Sequence, residues 1–495
     1  MFSKFDGSGR QPRAKQTEVL NWIGERWDSS RLPLTIQAGV GIGKSAILRS
    51  AQLEYGGDII TPQNTLVTQY VNDYPNLNKV IGTAHYKCNQ YVGIGCAYSQ
   101  KKYKCQGNWK PDGCRACPFV ESRENYRDGE ALNIGNVMSM WHLRRVYKKG
   151  VPVTYIDEAH SLPSIIRQLA THSFNFTKKN ADIPKQLGLR IPDFQDESNI
   201  VKLLEFLMNA TEEKIKKSKK ENAELLSALE KFEDMRTAIL GNPEVFAFSA
   251  RDNVVSITPL KAPLVLTRKL IHEKGILTSA TLLRHDIEEL LGTNKYEFYD
   301  AGTSIPKENR KVIYQPSKFR HNFVEIDPEA IVRTVERLWI ENGKPNTVVH
   351  TTYALGERMR PFWREFTPLE YDTDSKQDAV NTFIKGGGVL VGGGISEGLD
   401  LRGDLCRLQI ICKLQYPNTS DPWVRKRMGM PDSETWATGE VMKTLMQQVG
   451  RSTRGPEDSS VCYVLDPALP QLILKAKKLG LCPQFFFESI EGWGN

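Results

Sequence analysis

The sequence predicts an α/β protein whose parallel sheets form two successive blocks, and three observations carry that prediction. Short apolar runs alternate with amphipathic stretches, the pattern of strands flanked by helices. One run leads through a glycine-rich loop straight into a helix-like segment. The chain has 495 residues, more than one hydrophobic core usually organises, so two or three domains are expected.

In chain order the first block holds LTIQA ending at Ala38, DIIT around Ile60, VTYID ending at Asp157 and GILTS around Leu277. The second holds TVVHT around His350, VLVGG around Val391, LQIIC around Ile410 and VCYVL around Tyr463. Between the blocks the texture changes. From Ser198 to Leu240 the chain is highly charged and helical in period, with Leu225, Leu229, Phe232 and Ile239 on one face. That pattern predicts a solvated helical insertion packed on one side. No internal repeat or low-complexity tract is present.

Apolar residues make up 40% and charged residues 25%, which excludes wholesale disorder, a collagen-like fibre and a membrane bundle. No apolar run approaches the roughly 20 residues of a spanning helix. The N-terminal MFSKFDGSGRQPRAKQ has positive charges but no apolar core behind them, so it does not read as a secretory signal. A cytosolic protein is expected, and the compact length favours a bacterial or phage source. Lysine and arginine number 66 against 58 acids, a net charge of +8 that suits a polyanionic partner without demanding one. Of nine cysteines, Cys88, Cys96, Cys105, Cys114 and Cys117 crowd into one window, whereas Cys406, Cys412, Cys462 and Cys482 are scattered. In a cytosolic chain such crowding points to metal rather than disulfides.

The glycine-rich loop reads Ala38-Gly39-Val40-Gly41-Ile42-Gly43-Lys44-Ser45 and is followed by AILRSAQLEY. In this strand, loop, helix context it is a P-loop. Glycines let the backbone curl so that successive N–H groups and a helix N-terminus face a phosphate chain. Lys44 is expected to neutralise the β and γ phosphates of ATP, and Ser45 to supply a hydroxyl to Mg²⁺. Ala38 stands where the general pattern has glycine, a departure a small residue should tolerate. The strand VPVTYI ends in Asp157-Glu158-Ala159-His160. An acid at a strand's C-terminal end can hold the metal, and a second beside it can activate water, so Asp157 is assigned to Mg²⁺ and Glu158 to the attacking water.

Four further strings complete the set: Thr61-Pro62-Gln63-Asn64-Thr65-Leu66, Thr278-Ser279-Ala280-Thr281-Leu282, Ser396-Glu397-Gly398-Leu399-Asp400, and Gln447-Gln448-Val449-Gly450-Arg451-Ser452-Thr453-Arg454. In this order and spacing they resemble the signature set of superfamily 2 helicases, and with the crowded cysteines the chain resembles the iron-sulfur XPD/DinG branch. The resemblance runs from about Arg13 to Pro467. It implies two RecA-like lobes with ATP in the cleft between them and single-stranded nucleic acid across their tops. Arg451 and Arg454 would then be the fingers that meet charge on the γ-phosphate, with Gln447 near it. Ser279 and Thr281 look like the motif coupling hydrolysis to the nucleic-acid face, and Glu397, Gly398 and Asp400 like its counterpart in the second lobe. Gln16 resembles the adenine-side glutamine, with Arg13 beside it. The stretch from Gln415 to Trp423 resembles the family's proline-rich loop. GGGVLVGGGIS lacks the Lys and Ser or Thr of a second P-loop and is read as close backbone packing, leaving one ATP site.

Four converging thiolates can hold either a structural zinc or a four-iron four-sulfur cluster. The resemblance favours the cluster, with zinc as the alternative. It places the first ligand after an aromatic, as in Tyr86-Lys87-Cys88, and the last before proline and an aromatic, as in Cys117-Pro118-Phe119. Cys105 belongs to either plausible set. The fourth is Cys96, which gives more even spacing, or Cys114, which gives a two-residue bite with Cys117. The family's GRSNY-like lead-in is replaced here by Ile81-Gly82-Thr83-Ala84-His85-Tyr86, so a supporting arginine is missing. Lys101, Lys102, Tyr103, Lys104, Trp109 and Lys110 mix positive charge with aromatic faces, the composition that holds a strand by phosphate pairing and base stacking.

The resemblance divides the chain into lobe 1 at 1–87, 118–160 and 263–290, an iron-sulfur insertion at 88–117, a helical arch-like insertion at 161–262, and lobe 2 at 291–495. No nuclease domain is expected ahead of Arg13. The implied activity is that of an ATP-dependent helicase moving 5′ to 3′ on single-stranded and forked DNA, with the cluster domain at the duplex junction. The rival readings are an ATP-gated DNA-binding scaffold that does not unwind, and a helicase directed at RNA or RNA–DNA hybrids. No membrane partner is expected.

Overall fold

A computed structural model describes residues 5–88, 95–103, 117–129, 131–147, 152–177, 180–218, 222–316, 327–370, 376–394, 401, 403–453 and 455–492. The chain forms two compact units. The first comprises Met1–Leu162, Arg268–Tyr416 and Thr435–Asn495, and the second Pro163–Thr267 with Pro417–Glu434.

All eight apolar runs are strands of the first unit, distributed over two seven-stranded sheets. Every pairing in both sheets is parallel. Helices cover both faces of such sheets, so their inner strands read as unbroken apolar runs rather than as alternation. The strands Leu34–Gln37, Asp58–Thr61, Thr154–Asp157, Thr347–His350 and Leu408–Ile411 are accordingly buried at every position.

The first sheet has the order Phe298–Asp300, Leu34–Gln37, Gly275–Ser279, Thr154–Asp157, Asp58–Thr61, Asn133–Asn136, Asn78–Val80. Three motif-bearing strands are therefore neighbours. Gln37 pairs with Ser279, and Asp157 with Thr278, so the P-loop, TSATL and DEAH strings leave the sheet at the same edge. Ile36, Leu48, Ile59, Ile134, Tyr155 and Ile276 pack together as its core. The sheet runs on past the boundary expected at Leu290, because Phe298–Asp300 pairs with the P-loop strand. Two half-buried aromatics and an exposed aspartate at a sheet edge leave no apolar run to announce them.

The second sheet has the order Leu369–Glu370, Val389–Gly392, Thr347–His350, Leu408–Ile411, Ser460–Val464, Arg310–Tyr314, Ile490–Glu491. Among the described residues three clusters build its core, one around Val312, Met442, Leu445 and Val464, one around Ile331, Val335, Val349 and Ile410, and one around Val348, Phe383 and Leu390.

The helix Arg284–Leu291, which follows TSATL, meets the helix Ser433–Val449, which leads to the QxxGRxxR string, through buried charge. Lys443 Nζ lies 2.8 Å from Asp286 Oδ1 and 2.6 Å from Glu440 Oε1. His285 Nε2 lies 3.3 Å from the same Asp286 oxygen, and a side chain at Gly439 would collide with the His285 ring. Burial alone would raise the Glu440 carboxyl, but Lys443 and His285 outweigh it and hold it well below the usual carboxylate range. Burial would likewise lower the Lys443 ammonium, yet Asp286 and Glu440 hold it above the usual lysine range.

Lys443→Met leaves the buried Asp286 carboxylate and the partly exposed Glu440 carboxylate without their cation and is expected to cost about 3 kcal/mol, read as a lower melting temperature at pH 7. Because Glu440 titrates below its unfolded value of about 4.3, its stabilisation is complete above that pH and is lost as pH falls further. The native protein should therefore lose melting temperature below about pH 4 more steeply than the variant does.

The second unit pairs the helices Glu197–Lys217 and Ala223–Gly241. Asp196 caps the first by accepting from Ser198 N, and Asn222 caps the second by accepting from Glu224 N and Leu225 N. Ile239 is fully buried while Leu225, Leu229 and Phe232 are half-buried, so the expected face does point inward. The insertion is not purely helical, however. The strands His172–Asn175, Val254–Pro259 and Phe246–Arg251 form an antiparallel sheet. Asp252 and Asn253 turn the hairpin with positive φ at both residues, the geometry that matches strand twist and suits Asp and Asn. Phe194, Leu203, Leu204, Phe248 and Ile257 form the shared core.

The segment Pro417–Glu434 belongs to this unit although it is far away in sequence. Trp423 Nε1 donates to Pro259 O at 2.9 Å under the Arg167 guanidinium, Lys426 donates to Pro243 O at 3.0 Å, and Lys261 pairs with Asp432 at 2.6 Å. Among the described residues no helix is long and apolar enough to cross a membrane.

Candidate active site

The P-loop leaves the strand Leu34–Gln37 and enters the helix Lys44–Tyr55 through Gly43, whose φ of 85° only glycine adopts without strain. Gly39 needs the absence of a side chain for another reason. Its N–H donates to Gly302 O at 2.7 Å, and a Cβ there would lie 2.6 Å from that oxygen. Thr303 Oγ1 donates to Val40 O at 2.8 Å, so residues 302–303 brace the loop. Ala38 is fully buried and its N–H donates to Ser279 O at 3.0 Å. Gly41 also has positive φ, and Ser45 stands half-buried in the first helical turn, where the leading amides have no carbonyl partner within the helix.

Gln16 is buried beneath the loop. Its Oε1 accepts from Arg13 N at 2.9 Å, and its amide nitrogen sits 2.5 Å from where a Gly43 Cβ would stand. Arg13 Nη1 donates to Gly41 O at 2.9 Å. The two residues thus hold the P-loop from its N-terminal side.

Asp157 ends its strand 5% exposed, accepting from Tyr70 OH at 3.0 Å and from Glu158 N at 2.9 Å. Burial, reinforced by the Glu158 charge and opposed by Lys44, raises its carboxyl to about 6. Glu158 adopts φ 55° and ψ 44°, a left-handed conformation uncommon for a side-chain-bearing residue, and this turns its carboxylate toward Lys44 Nζ, 3.7 Å away. Burial would raise the Glu158 carboxyl, but Lys44 and hydrogen bonds from His160 and Ser279 hold it below the usual range.

A hydrogen-bonded relay starts from this glutamate. Ser279 Oγ donates to Glu158 Oε2 at 2.9 Å, His160 Nδ1 lies 2.7 Å from Ser279 Oγ, and Gln447 Nε2 lies 2.6 Å from His160 Nε2. The amide nitrogen of Gln447 can only donate, so His160 Nε2 accepts, its proton sits on Nδ1, and Ser279 passes its own proton on to Glu158. Thr281 N–H also donates to Ser279 Oγ, at 3.1 Å. P-loop, DEAH, TSATL and the first residue of QxxGRxxR are joined in one chain of contacts.

Arg451 follows on the turn after the helix Ser433–Val449 and is half-buried. The preceding Gly450 packs on the P-loop, where an added Cβ would lie 3.3 Å from Val40 Cγ2. Arg454, Glu397, Gly398 and Asp400 lie outside the described residues. Tyr70, Gly302 and Thr303 carry no sequence signal, since an ordinary helical tyrosine and a Gly-Thr turn look alike at any position.

In the cysteine window Cys105 and Cys114 lie outside the described residues, as do Lys104, Trp109 and Lys110. Tyr86 gathers the flanks of the other three cysteines. Its carbonyl accepts from Cys96 N at 2.9 Å, its ring meets Phe119 edge-on at 5.5 Å, and Cys88 is two residues on. Cys88 and Cys117 are half-buried and Cys96 is 5% exposed. Their sulfurs do not lie within 4.8 Å of one another as a set. Thiolates on one tetrahedral zinc stand about 3.8 Å apart, so these three do not form a mononuclear site in this structure.

Comparison with known proteins places this geometry. Residues 344–479 match the helicase C-terminal domain family. A solved XPD helicase superposes with a TM-score of 0.60 at 16% identity, covering 95% of this chain and 98% of that one. Xpd4 of S. tokodaii superposes at 0.59 with 15% identity, covering 97% and 99%. At such identities the likeness establishes the fold. The ATP-dependent DNA helicase CHL1 of Candida albicans is 26% identical over 219 residues, 35% of this chain. The chain spans about a quarter of that relative's length, matching 26% of it. In class, then, this is a two-sheet helicase fold. More particularly, its architecture is similar to that of the solved XPD helicases, and residues 344–479 are similar to the helicase C-terminal domain. The sequence relative is fungal and lends no support to a bacterial or phage source.

Proposed function

We propose that the chain is an ATP-dependent helicase that translocates 5′ to 3′ along single-stranded DNA and opens forked duplexes. The observation that carries this reading is the relay from Gln447 through His160 and Ser279 to Glu158, which couples the second sheet's last motif to the candidate base on the first. In the proposed cycle the P-loop amides and Lys44 take the triphosphate of ATP, with Gln16 on the adenine side. Phosphate oxygens compete with Glu158 for Lys44, and the freed carboxylate takes a proton from the attacking water. Arg451 and Arg454 meet the charge that develops on the γ-phosphate, and the relay reports its loss to the nucleic-acid face through Ser279 and Thr281. Glu397 and Asp400 complete the nucleotide side from the second lobe. Mg²⁺, held by Ser45 and Asp157, would supply charge neutralisation on the phosphates.

The cysteine window is proposed to hold a four-iron four-sulfur cluster on Cys88, Cys105, Cys117 and either Cys96 or Cys114. The tethering of three of these segments to Tyr86 supports it. A cytosolic setting belongs to the same reading.

A fluorescent forked duplex with a 5′ tail tests the activity. ATP-dependent strand release is expected, and robust ATP hydrolysis with no release from DNA, RNA or hybrid forks would instead favour the scaffold reading. Anaerobically purified protein should show visible absorbance with about four iron and four sulfide per chain. Stoichiometric zinc without iron would refute the cluster.

A further inference from the structure

The strands Thr347–His350 and Leu408–Ile411 are neighbours at the centre of the second sheet, where both faces are covered. Two polar residues interrupt their apolar runs. His350 and Gln409 are both 0% exposed, and an unpaired polar group at such a depth costs about 1–3 kcal/mol. Their partners show what they hold. Gln409 Nε2 donates to Val449 O at 3.0 Å and reaches Ser452 Oγ at 2.8 Å, and Ser452 Oγ donates to Ser460 Oγ at 2.6 Å. Val449 and Ser452 lie on either side of Arg451.

The rest of the pair follows from donor and acceptor counting. A carbonyl only accepts, so the Gln409 nitrogen must face Val449 and its oxygen must face His350. His350 Nε2, 3.0 Å from that oxygen, must then carry the proton. Burial, together with the nearby Arg451 charge, lowers the imidazole to about 4, so it stays neutral and keeps this tautomer. Val449 O closes a helix and would otherwise be an orphan carbonyl. The turn carrying Arg451 is thus tied on both flanks to one amide, which is itself oriented by a histidine on the next strand.

We propose that Gln409 and His350 are positioning residues for Arg451, fixing the turn from which its guanidinium reaches the γ-phosphate. This rests on the role proposed above for Arg451. Neither residue touches nucleotide, and their effect passes entirely through the backbone at 449–452.

The test is steady-state ATP hydrolysis by the full chain with single-stranded DNA, comparing Gln409→Met, Arg451→Ala and the double variant. Gln409→Met conserves volume but removes both bonds to the turn and the one from His350. It should lower kcat about 10- to 100-fold with KM for ATP changed less than about 2-fold, because the P-loop is untouched. In the Arg451→Ala background the same change should lower kcat less than about 2-fold further. Should Gln409→Met not fold, Ser452→Ala, which deletes one hydroxyl, takes its place in the same cycle. An equal loss in both backgrounds would overturn the inference, as would a folded Gln409→Met protein with native kcat beside an inactive Arg451→Ala. Undiminished hydrolysis by Arg451→Ala would remove the role of Arg451, and the positioning role with it.

Discussion

Glu158→Gln is expected to slow ATP hydrolysis by about 100- to 10,000-fold while ATP still binds. The amide keeps the shape of the carboxylate and can still accept from Ser279, so the relay to His160 and Gln447 survives. It cannot take a proton from water. Removing the negative charge 3.7 Å from Lys44 also leaves that ammonium free for phosphate, so ATP affinity should hold or tighten. Equilibrium binding of a fluorescent nucleotide beside single-turnover hydrolysis separates the two effects. Near-native turnover would take the base assignment away from Glu158.

Lys44→Ala should cost about 100- to 1,000-fold in turnover, the scale of losing one preorganised electrostatic contact to the transferring group. It carries a second signature in pH. Lys44 helps to hold the Glu158 carboxyl below its ordinary range, against burial. Without that cation the carboxyl rises, so the acid limb of residual hydrolysis should move to higher pH than in the native protein. A pH–rate profile with an unmoved acid limb would uncouple the two residues.

The sequence was most informative where the chemistry is local. The eight runs from LTIQA to VCYVL are buried parallel strands, because a strand covered on both faces has to be apolar along its length. Edge strands such as Phe298–Asp300 and Ile490–Glu491 are short and need no such run, so nothing marks them. The hairpin around Asp252 and Asn253 did leave a trace, two turn-forming residues between alternating stretches, but the charge of the neighbouring helices dominates the region. At the site, glycine spacing and paired acids announce Gly39, Gly43, Lys44, Asp157 and Glu158. Side-chain partners drawn from distant segments do not announce themselves. Tyr70 on Asp157, Thr303 on Val40 and Gln409 behind Arg451 become visible only when the sheets bring them together.

The second unit has a consequence for the order in which the protein matures. Its Pro163–Thr267 portion leaves the ribosome early, but the indole, ammonium and carboxylate that engage Pro259, Pro243 and Lys261 come from Trp423, Lys426 and Asp432. Until that late segment is synthesised, the nascent insertion carries an open seam that a chaperone or a neighbouring nascent chain can occupy. Chains prematurely terminated before Pro417 should therefore be cleared by quality control even though the residues of the P-loop and DEAH box are already made.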